Sequence, residues 1–511
     1  MSDPTISLCM IVKNEEDYLA DCLESAKPFV DEIVVVDTGS TDRTVQIAGI
    51  FGAKLFHFAW CNDFAAARNE SLLHATGDWI LVLDADERLT QGSGALMKKL
   101  VQDPAAVAYV VKLVCPKQDH GGMVRLGWLP RLFRNRIGVR YQGIIHEQVV
   151  PSLVGKGKIV VSEITLDHRG YLKNADEMHQ KALRNIQLLE RQVREDPQDA
   201  MAWFHLAEAY NGVGRLEEAV SSYRKAIHLS VLEELTFSDE IAAVAYQNLG
   251  SALVVQGNVD QGISAFLKAL SLMPDLASVH IHLGQAYYHH KNDLERCIEH
   301  FTKAIEVAAQ SERPDLPFQV VPWLAWHYVG SAQAKLGRFK IALESFQEAV
   351  RLNPEFKDAH WLLGLAAIKC GLPAVALEAL DAVRRLGGDE VRLDINLGSV
   401  RGALGDLDGA VQEFQSALAK DPGCEEARFH LCRAYRVLGR WTELLEEGKA
   451  LLEAGSESVD LYRLLADACM ALQAWPQAVM MVESLLAISE DPVAEQLLAQ
   501  CRRSAAEVSH G

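Results

Sequence analysis

The residues best suited to chemistry stand where an apolar run ends. Trp79-Ile80-Leu81-Val82-Leu83 stops abruptly at Asp84-Ala85-Asp86-Glu87-Arg88. A run of that length followed by carboxylates fits a central strand of a parallel sheet reaching its carboxyl edge. Open α/β sheets bind their ligands at that edge. Two carboxylates one residue apart can hold a divalent cation, and the cation can hold a diphosphate. Alone, the cluster could equally be an acidic turn, so its meaning depends on the neighbouring strand ends.

Those neighbours are legible as alternating strands and helices. Ile6 to Val12 is an apolar run closed by Lys13-Asn14-Glu15-Glu16, after which Tyr18, Leu19, Cys22, Leu23 and Ala26 recur at helical spacing. Ile33-Val34-Val35-Val36 is β-branched enough for a buried strand and ends in Asp37-Thr38-Gly39-Ser40-Thr41-Asp42. Gly39 suits a tight turn, and Ser40 or Thr41 is expected to cap the next helix. Residues 54–58 read as a third strand and 63–75 as a helix. The alternation predicts βαβ units and a mostly parallel sheet. An aspartate before a glycine turn is more often an Asx-turn than a ligand, so Asp37 gains weight only from its company. Later candidates are Trp128, Arg131, Arg134, His146, Glu147 and His168. Each has a plain structural alternative: rim arginines, a packed indole, a polar pair under a loop for His146 and Glu147, and a satisfied histidine after a strand for His168. Glu87 reads as support for its neighbours or as a surface partner of Arg88.

Composition bounds the rest. The 511 residues, 49% hydrophobic and 23% charged, are those of an ordinary globular chain long enough for two or more domains. A net charge of −19 argues against general affinity for nucleic acid or anionic lipid. Residues 1–170 carry a net −3, leaving −16 for the remainder. Ten scattered cysteines without metal-ligand spacing suggest reduced, buried thiols. There is no signal-peptide pattern and no run long enough for a membrane span, so a soluble cytoplasmic protein is expected.

From residue 200 the sequence repeats itself. Trp326…Val329-Gly330…Ala342…Phe346…Ala349…Pro354 fits the tetratricopeptide template, a helix–turn–helix of 34 residues. His360…Gly364…Ala376…Leu380 and Asp394…Gly398…Ala410…Phe414…Pro422 follow at the same step, as do Leu431…Tyr435…Leu444 and Leu465-Ala466…Ala478…Val482. Units around Trp203, Tyr246 and His280 come earlier, giving eight, with longer connections near 231–242 and 309–322. Such units stack into an all-α superhelix with a continuous core and a concave face. Scaffolding or self-association as a homo-oligomer is the plainer role; holding an extended protein segment is the sharper one. The expected division is 1–171 for the α/β domain, 172–199 for a linking helix, 200–500 for the repeats and 501–511 for a tail.

The first division resembles the family 2 glycosyltransferases. Met10-Ile11-Val12-Lys13-Asn14-Glu15-Glu16 is similar to that family's first strand and turn, and Val35-Val36-Asp37-Thr38-Gly39-Ser40-Thr41-Asp42 to its second. Ala66-Ala67-Arg68-Asn69, Gly77-Asp78 and Asp84-Ala85-Asp86-Glu87 follow in the family's order. Arg131-Leu132-Phe133-Arg134-Asn135, His146-Glu147 and His168-Arg169-Gly170-Tyr171 resemble its later half. The resemblance implies a GT-A, Rossmann-like mixed sheet that binds a nucleotide-sugar donor, UDP-linked by family tendency. It implies that Asn14, Glu15, Asp37, Arg68, Asp84, Arg131 and Arg134 meet the donor, and that Asp86 with His168 holds Mn²⁺ or Mg²⁺. Glu147, at an apparent strand end beside His146, is then the candidate general base. The reaction implied is inverting sugar transfer, with a protein or peptide acceptor recruited through the repeats. A glycan or lipid-linked acceptor and a non-catalytic repeat scaffold are the competing readings.

Overall fold

β1 (Ile6–Val12) lies between β2 (Glu32–Asp37) and β4 (Trp79–Val82), parallel to both, and β3 (Lys54–His57) extends the parallel run beyond β2. Nearly every residue of β1, β2 and β4 is buried, as their unbroken apolar sequence requires of strands covered on both faces. In this computed structural model the described residues are 3–114, 126–169, 175–230, 238–310 and 322–509.

The eight-stranded sheet has the order β3-β2-β1-β4-β7-β6-β8-β5, completed by β5 (Glu87–Leu89), β6 (Ala106–Val114), β7 (Leu126–Arg134) and β8 (Lys158–His168). β7 is antiparallel to both β4 and β6, while β8 is parallel to β6 and antiparallel to β5. Four of the seven pairings are parallel, the three that join the first four strands and that of β6 with β8, so the sheet is mixed, as the resemblance implied. Alternate residues of each strand face opposite layers. Leu8, Met10 and Leu81 pack with α1 (Leu19–Ala26), α2 (Thr44–Ile50) and α4 (Ser93–Leu100). Cys9, Ile80 and Val82 pack with α3 (Phe64–Leu73), α5 (Val150–Leu153) and Tyr141.

The helix cap expected of Ser40 or Thr41 is not formed, since the N-cap residue of the next helix is Arg43, which makes no side-chain capping bond. α2 starts at Thr44, whose amide donates to Asp42 at 2.9 Å, while Ser40 and Thr41 bond to Asn14. Gly77 and Asp78 are structural: a Cβ on Gly77 would meet Ser7 N at 2.8 Å, and Asp78 accepts from the Thr5 amide and hydroxyl at the sheet's amino edge.

The chain divides into two compact units, one of 1–290 with 303–320 and one of 291–302 with 321–511. The first holds the sheet, α6 (Ala175–Glu195), the pairs α7 (Ala200–Gly212) with α8 (Leu216–Ser230) and α9 (Asp239–Val255) with α10 (Val259–Leu272), and α11 (Ala277–Ala286). A π-helical turn, Tyr287–Lys291, and α12 (Leu294–Gln310) come next. The second unit pairs α13 (Pro322–Lys335) with α14 (Phe339–Leu352), α15 (Lys357–Lys369) with α16 (Pro373–Arg385), and α17 (Val391–Ala403) with α18 (Leu407–Lys420). It continues with α19 (Glu425–Leu438), α20 (Trp441–Glu453), α21 (Val459–Ala471), α22 (Trp475–Ile488) and α23 (Pro492–Ser509). Residues 501–509, expected as a tail, are thus helical. The pairs cross where one residue is small: a Cβ on Gly330 would meet Phe346 at 2.7 Å, and one on Gly398 would meet Phe414 at 2.6 Å. Residues 231–237 and 311–321 of the two longer connections, and Gly170-Tyr171, lie outside the described residues. Among the described residues no helix is long and apolar enough to cross a membrane, and the described cysteines are free.

Candidate active site

The turn after β4 is built around Asp84. Its amide donates to Glu87 Oε2 at 2.9 Å, and the Glu87 amide donates to the Asp84 carbonyl at 3.0 Å. Arg131, on β7 beside β4, sends Nη2 to Asp84 Oδ2 at 2.8 Å and to Glu87 Oε1 at 2.6 Å. Arg68 comes from α3, a helix capped by Asp63, which accepts from the Ala66 amide at 2.9 Å. Its Nη2 donates to Asp84 Oδ1 at 2.7 Å, and its Nε donates to Glu147 Oε1. Glu147, Arg68, Asp84, Arg131 and Glu87 therefore alternate in one chain of charges. Glu87 is 0% exposed, Arg68 6% and Arg131 8%.

Burial works against charge at Asp84, Glu87, Arg68 and Arg131, and the opposite charges of the set oppose it. Burial pushes Asp84 up, but Arg68 and Arg131 hold its carboxyl well below the usual carboxylate range. Burial pushes Glu87 up to about 7 against the pull of Arg131. Arg68 Nη1, Arg131 Nε and Tyr141 Oη are buried with no hydrogen-bond partner among the described residues. Burial also pushes the Tyr141 hydroxyl up to about 12. Buried donors without partners are uncommon in folded proteins, so this corner suits an oxygen-rich ligand or ordered water.

Asp86 and His168 meet across the β5–β8 pair. His168 Nε2 stands 3.7 Å from Asp86 Oδ2, and the Arg169 amide donates to the Asp86 carbonyl at 2.9 Å. One carboxylate and one imidazole suit Mn²⁺ or Mg²⁺ as two ligands of a larger set. No group of three His, Cys, Asp or Glu residues able to hold a metal occurs among the described residues, so oxygens from substrate or water would have to complete that set.

On the other side of β1, Asp37 is buried. Its oxygens accept from the Gly39 amide at 3.2 Å and the Ser40 amide at 3.0 Å, with His57 Nδ1 at 3.3 Å. Burial opposes ionisation, yet these bonds hold the carboxyl below its ordinary value. Asn14, in the left-handed region at φ 56°, accepts from Thr41 through Oδ1 at 2.7 Å, and the Glu15 amide donates to Thr44 Oγ1 at 2.7 Å. These three residues tie the turns after β1 and β2 together, and the turn is the role visible for them.

Two placements differ from expectation. Arg134 pairs with Trp79 at the amino end of β4, donates to the carbonyls of Ala106 and Asp103, and lies 4.7 Å over the Trp79 ring. It is therefore a structural arginine away from the Asp84 turn. Glu147 is in a loop closed by the Gln142–Gln148 bridge, not at a strand end, and the His146 ring stacks on His205 at 4.3 Å. Trp128, 37% exposed, sits opposite Lys112 in the β6–β7 pair. Of the two readings of Glu87, support for its neighbours is the one seen: it accepts from the Asp84 amide and from Arg131, whereas Arg88 pairs with Asp21. Asn69 carried no expected role, yet it clamps the Tyr141 backbone through bonds of 2.8 and 3.0 Å. Its place beside Arg68 in the quoted motif was the available signal.

Known proteins share both halves of this architecture. The family model "Glycosyl transferase family 2" matches residues 7–155, and tetratricopeptide repeat models match 179–230, 243–276, 277–311, 330–390 and 403–443. A TPR repeat-containing protein of Synechococcus elongatus is 42% identical over 202 residues, 38% of this chain and 49% of that one. The SPbeta prophage-derived glycosyltransferase SunS of Bacillus subtilis is 28% identical over 231 residues, 44% of this chain and 54% of that one. This chain thus spans about half the length of these curated relatives. The crystal structure of MamA is 24% identical, covering 35% of this chain and 92% of its own at a TM-score of 0.31. Residues 7–155 are a glycosyl transferase family 2 domain, and tetratricopeptide repeats follow it.

Proposed function

We propose that this chain is a metal-dependent, inverting glycosyltransferase that moves a sugar from a nucleotide donor, UDP-linked by family tendency, to a protein or peptide acceptor brought by the repeats. The observation that carries the reading is the ion-paired chain Glu147–Arg68–Asp84–Arg131–Glu87, with Arg68, Arg131 and Glu87 buried, beside Asp86 and His168. A relative named as a glycosyltransferase, similar over a stretch of 231 residues, supports it.

In this reading Asp84 meets the donor's ribose while the two arginines fix its carboxylate. Asp86 and His168 hold the cation, which when bound offsets charge on the departing nucleoside diphosphate. Glu147 takes the proton from the acceptor nucleophile. Arg68 carries both carboxylates on one rigid guanidinium, so it keeps the donor and acceptor halves in register. A positioned base contributes about 10²–10⁴ in rate.

The test is turnover of a panel of UDP-sugars by the full chain with Mn²⁺. Asp86→Ala is expected to lose turnover while its circular dichroism spectrum is retained. Full activity in that variant would overturn the metal assignment, and turnover of none of the panel by the wild type would overturn the UDP donor. Calorimetry showing that no nucleotide sugar binds, with Mn²⁺ or Mg²⁺, would bring the scaffold reading forward.

A further inference from the structure

The loop that carries Glu147 is held from two directions. From the sheet domain, the Phe64 amide donates to the Ile144 carbonyl at 2.8 Å. From α6, Gln192 Oε1 accepts from the Ile144 amide at 3.2 Å, and its Nε2 donates to Asp199 at 2.8 Å. Asp199 in turn caps α7 by accepting from the Ala202 amide at 2.8 Å. One side chain therefore ties the loop to both the linking helix and the start of the first repeat.

Packing and backbone geometry agree with that tie. Ile144 and Ile145 are buried in the same apolar cluster as Ile186, Leu189, Phe204 and Leu206. They are flanked by Gly143 at φ 97° and His146 at φ 54°, both in the left-handed region. For a residue with a side chain, that conformation is strained and persists where the surroundings enforce it. The ring of His205 on α7 lies on that of His146, with 23° between the planes. Glu147 is the next residue.

We propose that Gln192 and His205 are positioning residues for Glu147, so that the linking helix and first repeat complete the acceptor half of the site. They hold loop 142–148 in the conformation that seats the Glu147 carboxylate on Arg68. The repeats are then part of the catalytic unit and not only a recruiting arm. This rests on the reading of Glu147 as the acceptor-side base.

The experiment uses the full chain, amide exchange across 142–148, and turnover of UDP-glucose with Mn²⁺. Gln192→Ala and His205→Ala are expected to speed exchange in the loop by about tenfold or more, with Trp79–Val82 unchanged. They are expected to lower kcat by about tenfold with the donor KM kept within about twofold, the signature of a lost transition-state contact. His205→Phe, which keeps a stacked ring, should restore both. Unchanged loop exchange, or a raised KM with kcat kept, overturns the proposal. If the loop loosens as expected while Glu147→Gln keeps wild-type turnover, the assignment of the base fails and the bracing of the loop stands.

Discussion

Arg131 holds two carboxylates, Asp84 and Glu87, where water cannot reach the second. Removing one partner of such a set leaves an uncompensated buried charge, which costs about 3–5 kcal/mol. Arg131→Met is therefore expected to lower the urea midpoint, followed by tryptophan fluorescence, by that equivalent. Arg131→Lys should recover part of it, since it restores charge but not the two-pronged donor. Much of this candidate site was legible from the strand end at Asp84 together with the family resemblance: Arg68, Asp84, Arg131 and Glu147 were all named from sequence, and ion pairs link them in one chain. Arg134 was not separable from Arg131 because that depends on β7 running antiparallel to β4. Three residues further along β7 lies the opposite edge of the sheet. The two readings of Glu87 were not separable because burial of an acidic residue beside an arginine needs the depth of the turn, which no local pattern carries.

At the scale of elements, β2 begins with a carboxylate that fastens three parts of the sheet domain. Glu32 accepts from Lys54 on β3, from the Ser7 hydroxyl on β1, and from the Thr76 amide at 2.8 Å. Burial opposes ionisation, but these bonds lower its pKa from 4.5 to about 2. A carboxyl whose folded pKa lies below its unfolded one stabilises fully above the unfolded value and loses that contribution as pH falls through the folded value. Glu32→Gln should therefore have a lower Tm than wild type at pH 7, and the gap should close as pH falls from about 4.5 towards about 2. The parallel strands were legible because each is an apolar run ending in polar residues. The antiparallel half was not, because the pairing of β7 between β4 and β6 is set by long-range contacts. The expected cap of α2 is not formed for a similar reason: Asn14 of another turn takes up Ser40 and Thr41 and leaves the amide of Thr44 to Asp42.

For the whole molecule, the uneven charge matters most. With −3 on the first 170 residues and −16 on the rest, an acceptor segment held by the repeats should be basic or polar. Binding of a Lys/Arg-rich peptide to the full chain, followed by fluorescence anisotropy, should weaken several-fold between about 0.05 and 0.2 M salt, as screening shortens the reach of that field. A salt-independent affinity would mean that apolar anchors dominate. The repeats were legible because the small-residue and aromatic positions recur every 34 residues, as Gly330, Gly364 and Gly398 do. The contacts of the first helices with loop 142–148 were not, because Gln192 and His205 carry no mark in sequence of the loop they touch.

The two ends of the repeat array are consequently not equivalent. Its interior crossings, Gly330 on Phe346 and Gly398 on Phe414, are interchangeable copies of one joint. Shortening or lengthening by whole units there would preserve every type of local packing. The pair that opens the array has no such freedom, since it is committed to the loop before Glu147. Removing a later unit should therefore leave the sheet domain's amide-exchange protection unchanged, while removing the opening pair should loosen the loop before Glu147.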